Sequence, residues 1–248
     1  MAERVVAIVQ ARTGSTRFPA KVLQDIGGEP MLARVMERVG RASQVNEVVV
    51  ATTQHPRDDV IEQLSRRSGW PCVRGSEDDV LDRYHQAALL HRADIVVRIT
   101  SDCPLLDPAV VDLILNELAR GQDADYASNT TDPRTFPRGL DVEAFTIDAL
   151  ATAWREDRDP VTREHVTPFL YLHPERFLVR RLATDPDRSW MRWTVDEAED
   201  LELVRLLYSE VGPVASWQET AEAMEANPQW AAINRDVEQR EVSHPDPR

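Results

Sequence analysis

The chain has 248 residues, with 43 Asp and Glu against 29 Lys and Arg and a formal net charge of -14; it is long enough to bury a full core and too acidic to attach nonspecifically to nucleic acid or an anionic membrane. Any site for an anionic ligand must therefore be local. Two cysteines, Cys72 and Cys103, are too few for a disulfide framework or a thiolate zinc site and read as small buried residues in a reducing compartment.

Glu3 and Arg4 precede an apolar run at 5–9 that falls far short of a signal sequence or membrane span, so a cytoplasmic location is expected. That run, VVAIV, is short and β-branched enough for a buried parallel strand. At Gln10 and Ala11 the character changes, and a loop follows that carries Arg12, Gly14, Ser15, Arg17 and Lys21. Gly14 is read as permitting a turn in which successive N–H groups face an anion. Lys21 is the only lysine among the 29 basic residues, a compact ammonium where every other position has a planar guanidinium.

Gly27-Gly28 predicts a turn and Pro30 the start of a helix over 30–42. A strand at 47–53, a helix from Asp58 and Asp59 toward Ser68 and a strand at 70–73 follow. Ser76 with Asp79 resembles a capping box for a helix that places Val80, Leu81, Tyr84, Ala87 and Ala88 at core spacing. Residues 94–100 (DIVVRIT) read as another buried strand, followed by Ser101-Asp102-Cys103-Pro104 and a helix over 108–120. Strand alternating with helix gives an α/β chain with a mostly parallel sheet. Beyond Asp125 the pattern loosens. Strands at 126–128 and 140–145 flank a polar loop suited to a substrate, helices are expected at 147–155 and after Pro160, and strands at 177–182 and 191–195. A helix over 197–211 and one capped by Ser216 and ending near Asn227 complete a single domain over 1–240, with a frayed tail at 241–248.

In an open parallel sheet, ligands bind beyond the carboxyl ends of the strands. The loop at 10–21, Asp102 after the 94–100 strand and Asp196 after the 191–195 strand all fall there. The loop offers cations and amides for phosphates, and the two aspartates offer hard oxygens suited to magnesium. Either aspartate has a plainer reading: Asp102 as a turn residue before Pro104, Asp196 as the N-cap of the helix that follows.

The chain resembles the cytidylyltransferases that make CMP-linked acidic sugars, in particular the spore coat polysaccharide biosynthesis group. The resemblance is carried by QARTGSTRFPAKVL (10–23), ATTQHPRDDVI (51–61), RGSEDDVLDRY (74–84), RITSDCPLLDP (98–108), SNTTDPRTFPRGLDVEAF (128–145), REHVTPF (163–169) and RWTVDEAEDLEL (192–203). It implies a three-layer, Rossmann-like nucleotide-diphospho-sugar transferase fold, and CMP transfer from CTP to an acidic sugar-like acceptor with release of pyrophosphate. It also implies a Mg2+ cofactor, a homodimer, and no nucleic-acid or membrane partner. Carried onto this sequence, it makes Arg12, Lys21 and Asp102 catalytic, and puts Gln10, Ala11, Gly14, Ser15 and Arg17 with Arg12 and Lys21 on the nucleotide. Arg74, Gly75 and Ser76 occupy the base-reading stretch, and Asp102 and Asp196 the metal site. The sequence departs from the acylneuraminate and deoxyoctulosonate enzymes around 128–169, so the acceptor does not transfer; Arg138, Asp141, Glu143, Arg163, Glu164 and His165 are its candidate ligands. Two alternatives stay open. A glycosyltransferase would use an Asp-x-Asp pair, which Asp123/Asp125, Asp157/Asp159 and Asp185/Asp187 all match, and a nucleotide-binding subunit would not turn over.

Overall fold

The structure, a computed structural model, describes residues 3–120 and 124–239; the tail expected at 241–248 lies outside them. In chain order the elements are β1 (Val5–Gln10), β2 (Asp25–Ile26), β3 (Glu29–Pro30), α1 (Met31–Val39), β4 (Glu47–Thr53), α2 (Asp59–Ser68), β5 (Cys72–Gly75), α3 (Val80–Leu90), β6 (Ile95–Thr100), α4 (Pro108–Ala119), β7 (Tyr126–Ser128), β8 (Glu143–Thr146), α5 (Ile147–Glu156), α6 (Pro160–His165), α7 (Pro168–Tyr171), β9 (Val179–Arg181), α8 (Ala198–Val211) and α9 (Trp217–Ala226). Seven strands form one sheet in the order β5-β4-β1-β6-β8-β7-β9, while β2 and β3 make a small separate hairpin. The first four strands of the sheet are parallel, β8 runs antiparallel to both β6 and β7, and β9 is parallel to β7. Among the described residues no helix is long and apolar enough to cross a membrane.

Alternation along β1 sorts the core into two layers. Val5, Ala7 and Val9 pack with α1, α4 and α8, and Val6 and Ile8 pack with α3 and α5. Each fully buried valine or isoleucine here contributes about 1.5–3 kcal/mol, and Ala7 less. The β1–β6 register sets Gln10 beside Thr100, so the two strands release their loops at one edge. By the same alternation Gln10 and Thr100 face the α3 layer.

Several expected boundaries move, each for a local reason. Pro30 precedes α1 as its N-cap and pairs within the β2–β3 hairpin, and the helix ends at Val39. The 70–73 strand shifts to Cys72–Gly75, where it pairs with Val50 to Thr53 of β4. The strand expected from 140 begins at Glu143, because the Asn129 amide replaces the ladder: it donates to Leu140 O (2.7 Å) and accepts from Val142 N–H (2.9 Å). Residues 191–195 form no strand but an extended segment with one bridge, Arg138 to Arg192. Gly139 explains the close passage, since its φ is +102° and a Cβ there would lie 2.6 Å from the backbone of Trp193 and Thr194.

Candidate active site

The loop after β1 is held from below. Thr13 donates through N–H (2.7 Å) and Oγ1 (2.6 Å) to Asp58, which is wholly buried and also hydrogen-bonded by Thr53. Burial opposes ionisation of Asp58, but the hydrogen bonds from Thr13 and Thr53 outweigh it and hold its pKa below the ordinary carboxylate range. Thr13 O then accepts from the N–H of both Ser15 and Ala20, each at 2.9 Å, folding the loop back on itself. The left-handed residue is Ala20 (φ 54°), not Gly14. Gly14 lies under a neighbouring side chain instead: a Cβ there would sit 2.7 Å from the Arg57 guanidinium, the flexible end of which would have to shift.

The fold-back delivers Lys21 between two carboxylates. Its ammonium donates to Asp102 Oδ2 (2.9 Å), Asp196 Oδ1 (2.9 Å) and Val195 O (2.7 Å), which uses all three of its protons. Burial opposes the charge on Lys21, yet the two aspartates raise its pKa above the ordinary value. Burial likewise pushes Asp102 upward, and the adjacent ammonium reverses this and brings it to about 2. Asp196 is lowered in the same sense, and it also pairs with Arg17 (3.0 Å) and Arg192 (2.8 Å). It is not the helix cap. Glu197 occupies the N-cap of α8 in a reciprocal box with Asp200, whose carboxylate accepts the N–H groups of Asp196 and Glu197.

Two cavities meet at this edge of the sheet. The loop-side cavity, about 360 Å³, is lined by Gln10, Ala11, Arg12, Gly14, Ser15, Arg17, Lys21, Asp102, Glu164 and Asp196 among the expected residues. The second, about 590 Å³, is lined by Asp141 and Glu143. Thr100 and His165 line both. Glu143 is a buried floor residue that accepts from Arg98, Tyr126 Oη (2.7 Å) and Thr167 Oγ1 (2.5 Å), while Asp141 is bridged by both arms of Arg134 (2.6 and 3.1 Å).

Other expected residues lie elsewhere. Arg74 is turned toward α2, with its donors on Thr53 O, His55 O, Glu62 and Asp59. Gly75 and Ser76 line neither cavity. Ser76 Oγ accepts from Asp79 N–H, but the N-cap of α3 is Asp79 itself. Arg163 ties α6 to Asp79 (2.7 Å) and to the carbonyls of Trp154 and Asp157, and Arg138 borders a third cavity near Trp190 and Arg192. Of the Asp-x-Asp pairs, Asp157 is held by Thr162 and Asp159 caps α6, and Asp123 lies outside the described residues. Sequence reading missed Arg83, which is 1% exposed and lines the loop-side cavity. Its signal was present, since 83 falls on the same face as Val80 and Ala87 in an otherwise apolar helix stripe.

A protein-family model for cytidylyltransferases matches residues 6–227. The spore coat polysaccharide biosynthesis protein SpsF of Bacillus subtilis is 30% identical over 245 residues, covering 94% of this chain and 99% of that protein. A 3-deoxy-manno-octulosonate cytidylyltransferase of Geobacter sulfurreducens is 43% identical over 117 residues, 46% of this chain and 45% of that protein. Among solved structures, a cytidylyltransferase from Leptospira borgpetersenii superposes with a TM-score of 0.88 at 32% identity, covering 97% of this chain and 100% of that one. With that match running from β1 to the end of α9, through the Lys21 loop and both carboxylates it binds, the chain belongs to the cytidylyltransferase family.

Proposed function

We propose that the protein transfers CMP from CTP to an acidic, hydroxylated, sugar-like acceptor and releases pyrophosphate. The observation that carries this is the meeting of two cavities at Thr100 and His165, with the cation cluster on one side and a hydroxyl-rich chamber on the other. In this reading the loop-side cavity holds the nucleotide. Arg12, Arg17 and Lys21 supply positive charge to the triphosphate, and the exposed Arg12–Glu164 contact at 3.4 Å is weak enough to be exchanged for phosphate. Thr130, Thr131 and Thr167 offer hydroxyls to a polyol in the second cavity. There Arg98 is neutralised by Glu143 and the Asp141 carboxylate is held by Arg134, whereas Arg181 has no ion-pair partner among the described residues and suits an acceptor carboxylate.

The acceptor oxygen bonds to the α-phosphorus in line as the bond to the bridging oxygen of pyrophosphate breaks. Catalysis of this kind is positioning and charge stabilisation, and it requires no covalent nucleophile. Asp102 and Asp196 would hold Mg2+. Their oxygens already converge on one cation at 2.9 Å each, and no group of three or more His, Cys, Asp or Glu among the described residues forms a closed cage. That donor set fits an ion that takes one or two carboxylates and completes its shell from phosphates. Bound there, magnesium would neutralise charge on the departing pyrophosphate.

The test is pyrophosphate release from a panel of nucleoside triphosphates with acidic sugars, sugar phosphates and phosphonates across a magnesium titration. CTP with a sugar acid is the expected pair. Equal or better turnover with UTP, GTP or ATP overturns the cytidylyl assignment, and a requirement for a nucleotide-sugar donor turns the reading to glycosyl transfer.

A further inference from the structure

Arg192 does not line the loop-side cavity; it borders the cavity near Trp190 and reaches Asp196 from the far side. Its side chain is 9% exposed, and every guanidinium nitrogen has a partner. Nε and Nη2 grip the two oxygens of Asp200 at 2.9 and 3.1 Å, Nη2 also donates to Asp196 Oδ2 at 2.8 Å, and Nη1 donates to Gln239 Oε1. Asp200 is wholly buried and ties the same residues together a second time. It accepts the N–H of Asp196 (2.8 Å) and of Glu197, and also the Asn234 amide, which donates in turn to Arg192 O (3.1 Å). Asp200 thus fixes the backbone of Asp196 and, through the Arg192 fork, one of its two oxygens. The other oxygen, Oδ1, faces Lys21 (2.9 Å) and Arg17 (3.0 Å) in the cleft. A buried ion pair adds little stability, because desolvation of both charges offsets most of their attraction. Its geometric effect is not offset, since a planar guanidinium bound through two donors fixes direction as well as charge.

We propose that Arg192 is a positioning residue that selects the metal: by holding Asp196 Oδ2 it confines that carboxylate to coordination through Oδ1 alone, and so favours Mg2+ over Ca2+. The proposal rests on the magnesium reading above. Mg2+ demands a near-octahedral shell and takes one or two carboxylates beside phosphates and water, whereas Ca2+ accepts more ligands in a flexible shell and takes a carboxylate through either one or both oxygens. With Oδ2 committed to Arg192, the two-oxygen mode is closed. Released from Arg192, Asp196 can turn about its side-chain bonds and offer both oxygens, which suits the larger ion. Groups that orient a metal ligand from outside the coordination shell alter metal affinity by about 10–100-fold. Arg192 touches neither nucleotide nor metal in this scheme, and its whole effect passes through the direction of one carboxylate.

The experiment follows Mn2+ bound to the full-length protein with CTP by electron paramagnetic resonance, and reads the concentrations of Mg2+ and of Ca2+ that displace half of it. CTP binds the metals alike in every sample, so its share cancels when the Ca2+-to-Mg2+ ratio is compared between proteins. The variants are Arg192→Gln, Arg192→Gln with Asp200→Asn, and Arg17→Gln, each with a thermal melt. The native protein is expected to favour Mg2+ relative to CTP alone, and Arg192→Gln should shift the ratio toward Ca2+ by roughly tenfold. Arg17 pairs with Oδ1 and not Oδ2, so Arg17→Gln removes the same charge without freeing the carboxylate and should move both metals together. The proposal fails if the native protein has no preference for Mg2+, if Arg192→Gln keeps the native ratio, or if Arg17→Gln shifts the ratio equally, which would make the effect one of charge. Should Arg192→Gln melt early from the charge left on Asp200, the double variant, neutral at that position, decides by the same ratio. Mn2+ that binds no better with protein than to CTP alone would overturn the magnesium site itself, an outcome distinct from a native Mg2+ preference that persists in the variants.

Discussion

Replacing Lys21 with Met keeps the length of the side chain and removes the ammonium that joins Asp102 to Asp196. In the native protein the Asp102 pKa is drawn from 3.8 to about 2, which at about 1.4 kcal/mol per pH unit is ~2.5 kcal/mol of stability at neutral pH. Without the ammonium, burial and the neighbouring Asp196 charge both push Asp102 upward, so the full amount is lost. For a chain of this size that is a fall in Tm of about 5–10 °C. The sign follows from the depressed carboxylate: its contribution is complete above the unfolded value of 3.8 and disappears as pH falls through about 2. Urea unfolding of the native protein and Lys21→Met should therefore differ by ~2.5 kcal/mol at pH 7 and at pH 5, and the gap should narrow below pH 4. Because the Lys21 pKa is raised, the gap should hold unchanged up to pH 10. Adding Asp102→Asn to Lys21→Met should recover part of the loss, since it removes a buried charge left without its partner. A gap equally large at pH 2.5 and pH 7 would mean that Lys21 acts by packing alone, and the electrostatic account of the cluster would be wrong.

Asp102→Asn and Asp196→Asn should each fold, raise the magnesium requirement and lower turnover by about two orders of magnitude, as read by pyrophosphate release across a magnesium titration. An Asp196→Asn protein that melts early yet keeps normal magnesium dependence would make Asp196 a structural anchor for Arg17 and Arg192. Arg74→Ala should leave CTP affinity within about twofold, because the side chain is spent on β4 and α2. A tenfold loss by calorimetry would return it to the nucleotide.

Much of the sheet was legible because its signal is local. The apolar run at β1, the β-branched stretch at β4 and the turn chemistry between them depend on neighbours in sequence, and the β4 and β7 strands fall at their expected bounds, Glu47–Thr53 and Tyr126–Ser128. The meeting of Lys21, Asp102 and Asp196 was legible from the rule that strand ends share an edge, although the path to Asp196 is an extended segment and not a strand. What could not be read depends on partners distant in sequence. Arg74 looks like a ligand until Glu62 and the Thr53 carbonyl claim it. Gly14 looks like a turn glycine until Arg57 crosses over it. Glu143 looks like a ligand in its own right until Arg98, Tyr126 and Thr167 are seen to surround it.

The solitary lysine has a practical consequence. Every other basic side chain is a guanidinium, so the protein carries one ε-amine in all, 12% exposed and hydrogen-bonded on every proton. Lysine labelled with nitrogen-15 would place a single side-chain ammonium resonance in the spectrum, assigned without mutagenesis and located within the cleft. With all three protons hydrogen-bonded, that ammonium should exchange them with water more slowly than an exposed lysine, and any ligand that draws Lys21 away from Asp102 and Asp196 would register as a change in one isolated signal. An amine-directed reagent would have only this group and the chain terminus to modify, and protection of Lys21 by a nucleotide would report occupancy of the site before any acceptor is known.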